Sequence, residues 1–212
     1  MSKIKLLIAD DHPIVREGFK QVLSETTDML VADEAGNGQE VLNLIRNNKY
    51  DVILLDISMP GRSGLEILKE LRNEYPKLPV LIVSIYPEEQ YAVRAFRAGA
   101  SGYLTKASAP HELIAAIRKI SKGGRYISSS LAEKLTYYLD IDAAKPPHEL
   151  LSDREYQVML LIASGKTVTE IGRELCLSVK TISTYRTHIL EKMKMKNNAE
   201  ITLYAVQNQL VG

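Results

Sequence analysis

The chain has 212 residues, 45% of them hydrophobic and 25% charged, with a formal net charge of +1. That length exceeds the usual single domain, and the composition excludes a disordered chain, a fibre and a uniformly basic nucleic-acid coat. The single cysteine, Cys176, excludes an internal disulfide framework and fits a reducing compartment. Without a partner thiol it reads as a small buried hydrophobe. The first apolar run is cut short by Asp10-Asp11, which speaks against a signal peptide, and no apolar stretch is long enough to span a bilayer. A cytoplasmic protein with no membrane partner is the expectation.

Charge is balanced over residues 1–124 and positive over residues 150–212. The positive side chains gather at Lys180, Arg186, Lys192, Lys194 and Lys196, with Glu191 among them. Such clusters are most often solvated faces, so this one needs a second signal.

In chain order, short continuous apolar runs occupy residues 6–9, 52–55 and 80–83, with weaker ones at 30–32 and 103–104. Continuous runs mark strands covered on both faces, as in a parallel sheet between helices. Helical spacing lies between them: Val15, Phe19 and Val22; Val41, Leu44 and Ile45; Leu65, Leu68 and Leu71; Ala92, Ala95 and Phe96; Leu113, Ile117 and Ile120. Five strands alternating with five helices predict a doubly wound α/β domain with a five-stranded parallel sheet over residues 1–122. Residues 123–149 change character. Gly123-Gly124 ends the fifth helix, serines at 128–130 are placed to cap a short helix running to residue 139, and Pro146-Pro147 resists regular structure. They are expected to form a linker. From residue 150 to 212 the pattern is all helical, over about 153–164, 168–175, 179–194 and 198–210.

In an open α/β sheet, ligands sit beyond the carboxyl ends of the strands. There the first strand delivers Asp10 and Asp11, the third Asp56, the fourth Ser84 and the fifth Thr105 and Lys106. Clustered carboxylates repel unless a cation joins them, and an oxygen-rich site suits Mg²⁺. A carboxylate beside Mg²⁺ is able to attack a phosphoryl group, with a lysine neutralising the phosphoryl oxygens. Taken singly, each residue is an ordinary loop-start polar group; the set is not.

The run Asp10-Asp11-His12, the stretch from Leu55-Asp56 to Met59-Pro60-Gly61, Ser84, and Gly102-Tyr103-Leu104-Thr105-Lys106 resemble the receiver domain of response regulators. The resemblance spans about residues 1–122 and implies a flavodoxin-like fold. It implies Asp56 as phosphoacceptor, Asp11 as a direct Mg²⁺ ligand, Asp10 as a ligand through water and the Ser58 carbonyl as a further one. It assigns Lys106 to the phosphoryl oxygens, and Ser84 and Tyr103 to a switch in which the hydroxyl moves to the phosphate as the ring turns inward. A sensor histidine kinase is the implied donor. Other signals are weaker: Gly36-Asn37-Gly38 lacks the third glycine of a dinucleotide loop, and His12, His111, His148 and His188 have no metal-ligand spacing and read as surface residues. The Asp-x-Asp/Thr phosphatase signature is absent, since Ser58 stands two residues after Asp56.

Projected as a helix, residues 179–194 put Ile182, Tyr185, Ile189 and Met193 on one side and Lys180, Ser183, Thr184 and Thr187 nearly opposite. A packing face backed by a short, hydroxyl-rich, positive face suits a helix-turn-helix whose second helix enters the major groove of double-stranded DNA. Arg186, His188 and the Lys192/Lys194/Lys196 group flank that face, where phosphates are the expected partners. The stretches from Leu151-Ser152 to Glu155, from Ile162 to Lys166, Glu170-Ile171 and from Leu177-Ser178 to Ile182 resemble the LuxR-type output domain, and with the receiver they resemble the NarL/FixJ class. The class implies a transcription regulator that is not an enzyme in the usual sense, binds promoter DNA and forms homodimers when phosphorylated. Gly172 stands where many members have alanine, which is expected to loosen its helix slightly.

The last helix carries two apolar stripes. Ala199, Leu203, Val206 and Leu210 are expected to pack inward, leaving Ile201, Tyr204 and Ala205 for a dimer partner. Two other functions stay open from the residues alone. One is a Mg²⁺-dependent phosphotransfer or phosphatase enzyme with a helical docking module; the other is a constitutive DNA binder with an inert receiver.

Overall fold

The computed structural model describes residues 3–128 and 146–211. The chain forms two compact units, divided between residues 140 and 141. The helix expected to run to residue 139 lies outside the described residues.

The first unit alternates β1 (Ile4–Ala9), α1 (Pro13–Ser24), β2 (Met29–Ala35), α2 (Gly38–Asn47), β3 (Val52–Leu55), α3 (Gly64–Glu74), β4 (Val80–Ser84), α4 (Glu88–Arg97), β5 (Gly102–Thr105) and α5 (Pro110–Ser121). All strand pairs are parallel, in the order β2-β1-β3-β4-β5. The three continuous apolar runs are the three central strands, because only those are covered on both faces and flanked on both edges. The weaker runs are the two edges. In β2 burial alternates, Met29 and Ala35 enclosed and Leu30 exposed, so its sequence shows no solid apolar block.

Strand order reverses between β1 and β3, so the crevice of the switch point opens at their carboxyl ends. Backbone bonds extend the sheet one residue into the loops: Asp10 N–H donates to Ala35 O at 3.0 Å, Asp56 N–H to Ala9 O at 2.9 Å and Lys106 N–H to Ser84 O at 2.8 Å. These three side chains are therefore fixed by the sheet rather than by loop packing.

The second unit begins with a 3-10 turn (Pro147–Leu150), followed by α6 (Asp153–Ala163), α7 (Val168–Glu174), α8 (Val179–Met193) and α9 (Asn198–Gln207). Capping boxes start α6, Ser152 with Glu155, and α7, Thr167 with Glu170. Ser178 caps α8, its hydroxyl accepting from Thr181 N–H at 3.0 Å. The turn between α7 and α8 brings Leu177 N–H to Gly172 O at 2.8 Å. A methyl group on residue 172 would stand 2.9 Å from Leu177 O. Gly172 thus admits the turn closely, which corrects the view that it merely loosens the helix. Cys176 lies within that turn at φ 53°, exposed, not buried as its composition class implied.

Two further expectations are corrected. Ile201 and Ala205 are wholly buried, packed toward α6, while Ala199, Leu203 and Val206 are exposed, so within α9 the stripes are exchanged; Leu210, beyond the end of the helix, is buried as expected. Tyr204 is half-buried and its hydroxyl lies 2.7 Å from Nδ1 of His148, itself buried rather than on the surface. Both stripes are apolar enough to pack inward; the direction from which α6 approaches chose between them.

Candidate functional site

The strand ends bring together what the sequence set out separately. Asp10 and Asp56 are buried at 1% and 2% exposure, and the Lys106 ammonium lies 2.6 Å from Asp10 Oδ2 and 2.8 Å from Asp56 Oδ2. Asp11 is half-buried beside them. One ammonium faces three carboxylates, an excess of buried negative charge that favours a further cation. Ligand oxygens of Asp10, Asp11 and Asp56 and a ring nitrogen of His12 lie within 4.8 Å of one another. Among the described residues, Asp56 Oδ1 is a buried oxygen without a hydrogen-bond partner. Such an atom is costly unless a ligand meets it.

Burial pushes the Asp56 carboxyl above its ordinary value, with Asp10 adding to the effect and Lys106 opposing it. Burial would lower Lys106, but Asp56 and Asp10 together hold it above its ordinary value, so the ammonium stays charged. Ser84 is fully buried, and its Oγ accepts from Tyr86 N–H at 3.3 Å. Tyr103 is turned inward at 1% exposure, donating to Tyr86 O at 2.8 Å, and burial pushes its phenol up. Ser58 is half-buried in the loop after β3.

Two contributors were not singled out from the sequence. His12, read as a surface residue, is exposed, but Nδ1 lies 2.8 Å from Asp11 Oδ1 and 3.4 Å from Asp10 Oδ1. Its place in the run Asp10-Asp11-His12 was the available signal. Gly64 starts α3 against the chain that leads out of β3 through Asp56, with its N–H donating to Ile57 O at 2.9 Å. A Cβ there would lie 1.9 Å from Asp56 O, so only glycine allows this approach. Nothing in the spacing of residues announced that contact.

In the second unit, α7, the turn and α8 form a helix-turn-helix. Lys180, Ser183, Thr184 and Thr187 are exposed on α8, while Ile182, Ile189 and Met193 are buried. The flanking cations are placed differently from one another. Arg186 Nε donates to Asn198 Oδ1 at 2.6 Å, and His188 Nδ1 lies 3.5 Å from Glu155 Oε1. Lys192, grouped with the phosphate-binding lysines from sequence, instead donates to Glu155 Oε2 at 2.6 Å and Oε1 at 2.9 Å. Burial would raise the Glu155 carboxyl, but Lys192 and the Ser152 cap pull it below its ordinary value. Glu155 thereby joins the start of α6 to α8. Lys194 ends α8 in the left-handed region at φ 56° and is exposed.

Comparison with known proteins covers both units. The family model for the response regulator receiver domain matches residues 6–118, and that for the luxR family of bacterial regulatory proteins matches residues 149–205. The response regulator GacA of Pseudomonas aeruginosa is 38% identical over 98% of each chain. The response regulator UvrY of Escherichia coli is 34% identical over 98% of this chain and 95% of its own. Among solved structures, RcsB from Salmonella enterica serovar Typhimurium, bound to a promoter in the presence of the phosphomimetic BeF3-, is 25% identical over 96% of this chain and 98% of that one, with a TM-score of 0.59. With both family models matched and relatives aligned almost end to end, this chain belongs to the response regulators, transcription regulators of two-component systems that join a receiver to a LuxR-type DNA-binding domain.

Proposed function

We propose that Asp56 accepts a phosphoryl group from a sensor histidine kinase in the cytoplasm, and that the modified chain binds promoter DNA as a homodimer through α8. The observation that carries this reading is Asp56 Oδ1, a buried and unpartnered carboxylate oxygen next to an ammonium and two further carboxylates. The residues fit Mg²⁺: Asp11 and Asp56 would hold it directly, Asp10 through water, and the Ser58 carbonyl would complete the protein ligands. When bound, Mg²⁺ supplies positive charge that offsets the carboxylates and the phosphoryl oxygens.

The chain's own residues do the rest. An Asp56 oxygen attacks phosphorus as the donor's bond to phosphorus breaks. Lys106 holds the incoming oxygens, and its raised pKa keeps it cationic throughout. Ser84 then donates its hydroxyl to the phosphoryl group, and the inward ring of Tyr103 occupies the space beside it. In the output domain, Lys180, Ser183, Thr184 and Thr187 read base edges, while Lys194, with Arg186 and His188 to the side, contacts phosphates. Dimerisation draws on the exposed Leu203 and Val206 of α9 rather than on Ile201 and Ala205, which the domain's own core occupies.

The test is incubation with acetyl phosphate and Mg²⁺, followed by mass measurement and binding to duplex DNA. One phosphoryl group per chain, absent in Asp56→Asn and in excess chelator, is the expected result. Unchanged phosphorylation of Asp56→Asn would overturn the assignment.

A further inference from the structure

We infer that the recognition helix is built for A·T base pairs over most of its length, with a guanine at its amino-terminal end. This rests on the DNA-binding reading given above and concerns which bases the same face accepts.

The hydroxyls on that face are already used. Ser183 Oγ donates to Val179 O at 2.9 Å, Thr184 Oγ1 to Lys180 O at 3.1 Å and Thr187 Oγ1 to Ser183 O at 3.1 Å, each bridging back one turn of its own helix. A hydroxyl has one hydrogen to donate and lone pairs to accept with. With the hydrogen committed, each of these oxygens has only lone pairs left to offer a base edge. In the major groove, donors are offered by adenine N6 and cytosine N4, whereas guanine presents the acceptors O6 and N7. A guanine opposite any of these three oxygens would set acceptor against acceptor.

Apolar groups separate adenine from cytosine. Turning Oγ1 toward the helix backbone leaves the methyl as the other γ substituent of Thr184 and Thr187. Val179, the first residue of α8, is 45% exposed and falls on the same side as Ser183 and Thr187, one turn before the former and two before the latter. Nearly half of this valine is open to solvent, and a thymine methyl is the apolar feature a major groove supplies. An A·T pair satisfies both kinds of group at once: the adenine amino group donates to a hydroxyl and the thymine methyl meets a methyl or Val179. A G·C pair satisfies one at most. Lys180 is the exception. It is exposed and offers only donors, which suit guanine O6 and N7.

Selection from random duplexes with the full chain, treated with acetyl phosphate and Mg²⁺, reads this directly. The expected half-site is a run of A·T pairs with one G·C pair at the Lys180 end. In the selected duplex, dT→dU removes only the methyl, and should weaken binding about fourfold at each thymine read by Val179, Thr184 or Thr187, the free energy of burying one methyl group. Thr184→Ser keeps the hydroxyl and loses the methyl, and should abolish the dU penalty at one position while leaving the others. Val179→Ala should do the same at a different position. A half-site dominated by G·C pairs, or dU substitution without effect at every position, would overturn the inference while DNA binding itself stood. Failure to bind any duplex at low salt would overturn the DNA-binding reading and this inference together.

Discussion

At the residue scale the pocket trades stability for chemistry. The folded Asp56 carboxyl lies above its ordinary value because burial penalises its charge. A carboxyl raised in this way holds its proton more tightly folded than unfolded, so stability falls as pH rises through the window above the ordinary value of 3.8. Asp56→Asn removes the charge, so we expect a higher Tm than wild type at neutral pH and a gap that closes as pH falls below that value. Thermal melts across pH check this; a variant less stable at neutral pH would contradict it. Gly64 is the opposite case, a residue with no chemistry that guards the geometry. Gly64→Ala places a methyl 1.9 Å from Asp56 O, inside any allowed contact. We expect a loss of at least about 1–3 kcal/mol in denaturant melts, together with slower phosphorylation by acetyl phosphate.

At the element scale α9 and the Glu155 linkage carry the predictions. Ile201 is wholly buried, so Ile201→Ala should destabilise the output domain by about 2–5 kcal/mol. Leu203 is 58% exposed, so Leu203→Asp should change stability by no more than about 0.5 kcal/mol yet weaken self-association in sedimentation equilibrium. If instead Leu203→Asp unfolds the domain and Ile201→Ala does not, the stripes are assigned wrongly. Lys192 is 42% exposed and joins α8 to the Glu155 carboxylate. Lys192→Ala should cost about 1–3 kcal/mol, since it leaves the buried Glu155 carboxylate without its ammonium while solvent screens only the lysine end. It should leave the salt dependence of DNA binding unchanged, because that lysine is held by Glu155.

At the scale of the whole molecule, two functions meet in one chain and are measured together. Phosphorylation should increase both self-association and affinity for a selected duplex, and Asp56→Asn should show neither increase. On that duplex, Lys180→Ala should cost on the order of 1–3 kcal/mol and relax preference at one base pair. Lys194→Ala should weaken every sequence alike and reduce the salt slope by about one unit. Uniform loss in both variants, with no change in preference, would move the reading face elsewhere.

The sequence by itself determined the alternation of strands and helices, the residues at each strand end and the helix-turn-helix, because these depend on local periodicity and on which residue follows an apolar run. Asp10, Asp56 and Lys106 were legible for that reason: a parallel sheet delivers every strand end to one rim, so naming the ends names the pocket. Tertiary structure alone decided the matters that depend on a neighbour distant in sequence. It chose which apolar stripe of α9 meets α6 and committed Lys192 to Glu155, 37 residues away. Cys176 stands exposed, at φ 53° in the turn before α8. Gly64 became indispensable because the chain leading out of β3 through Asp56 passes within van der Waals distance of its backbone. Periodicity fixes that a side chain faces inward or outward along its own element; which element it then meets is set by how the elements pack.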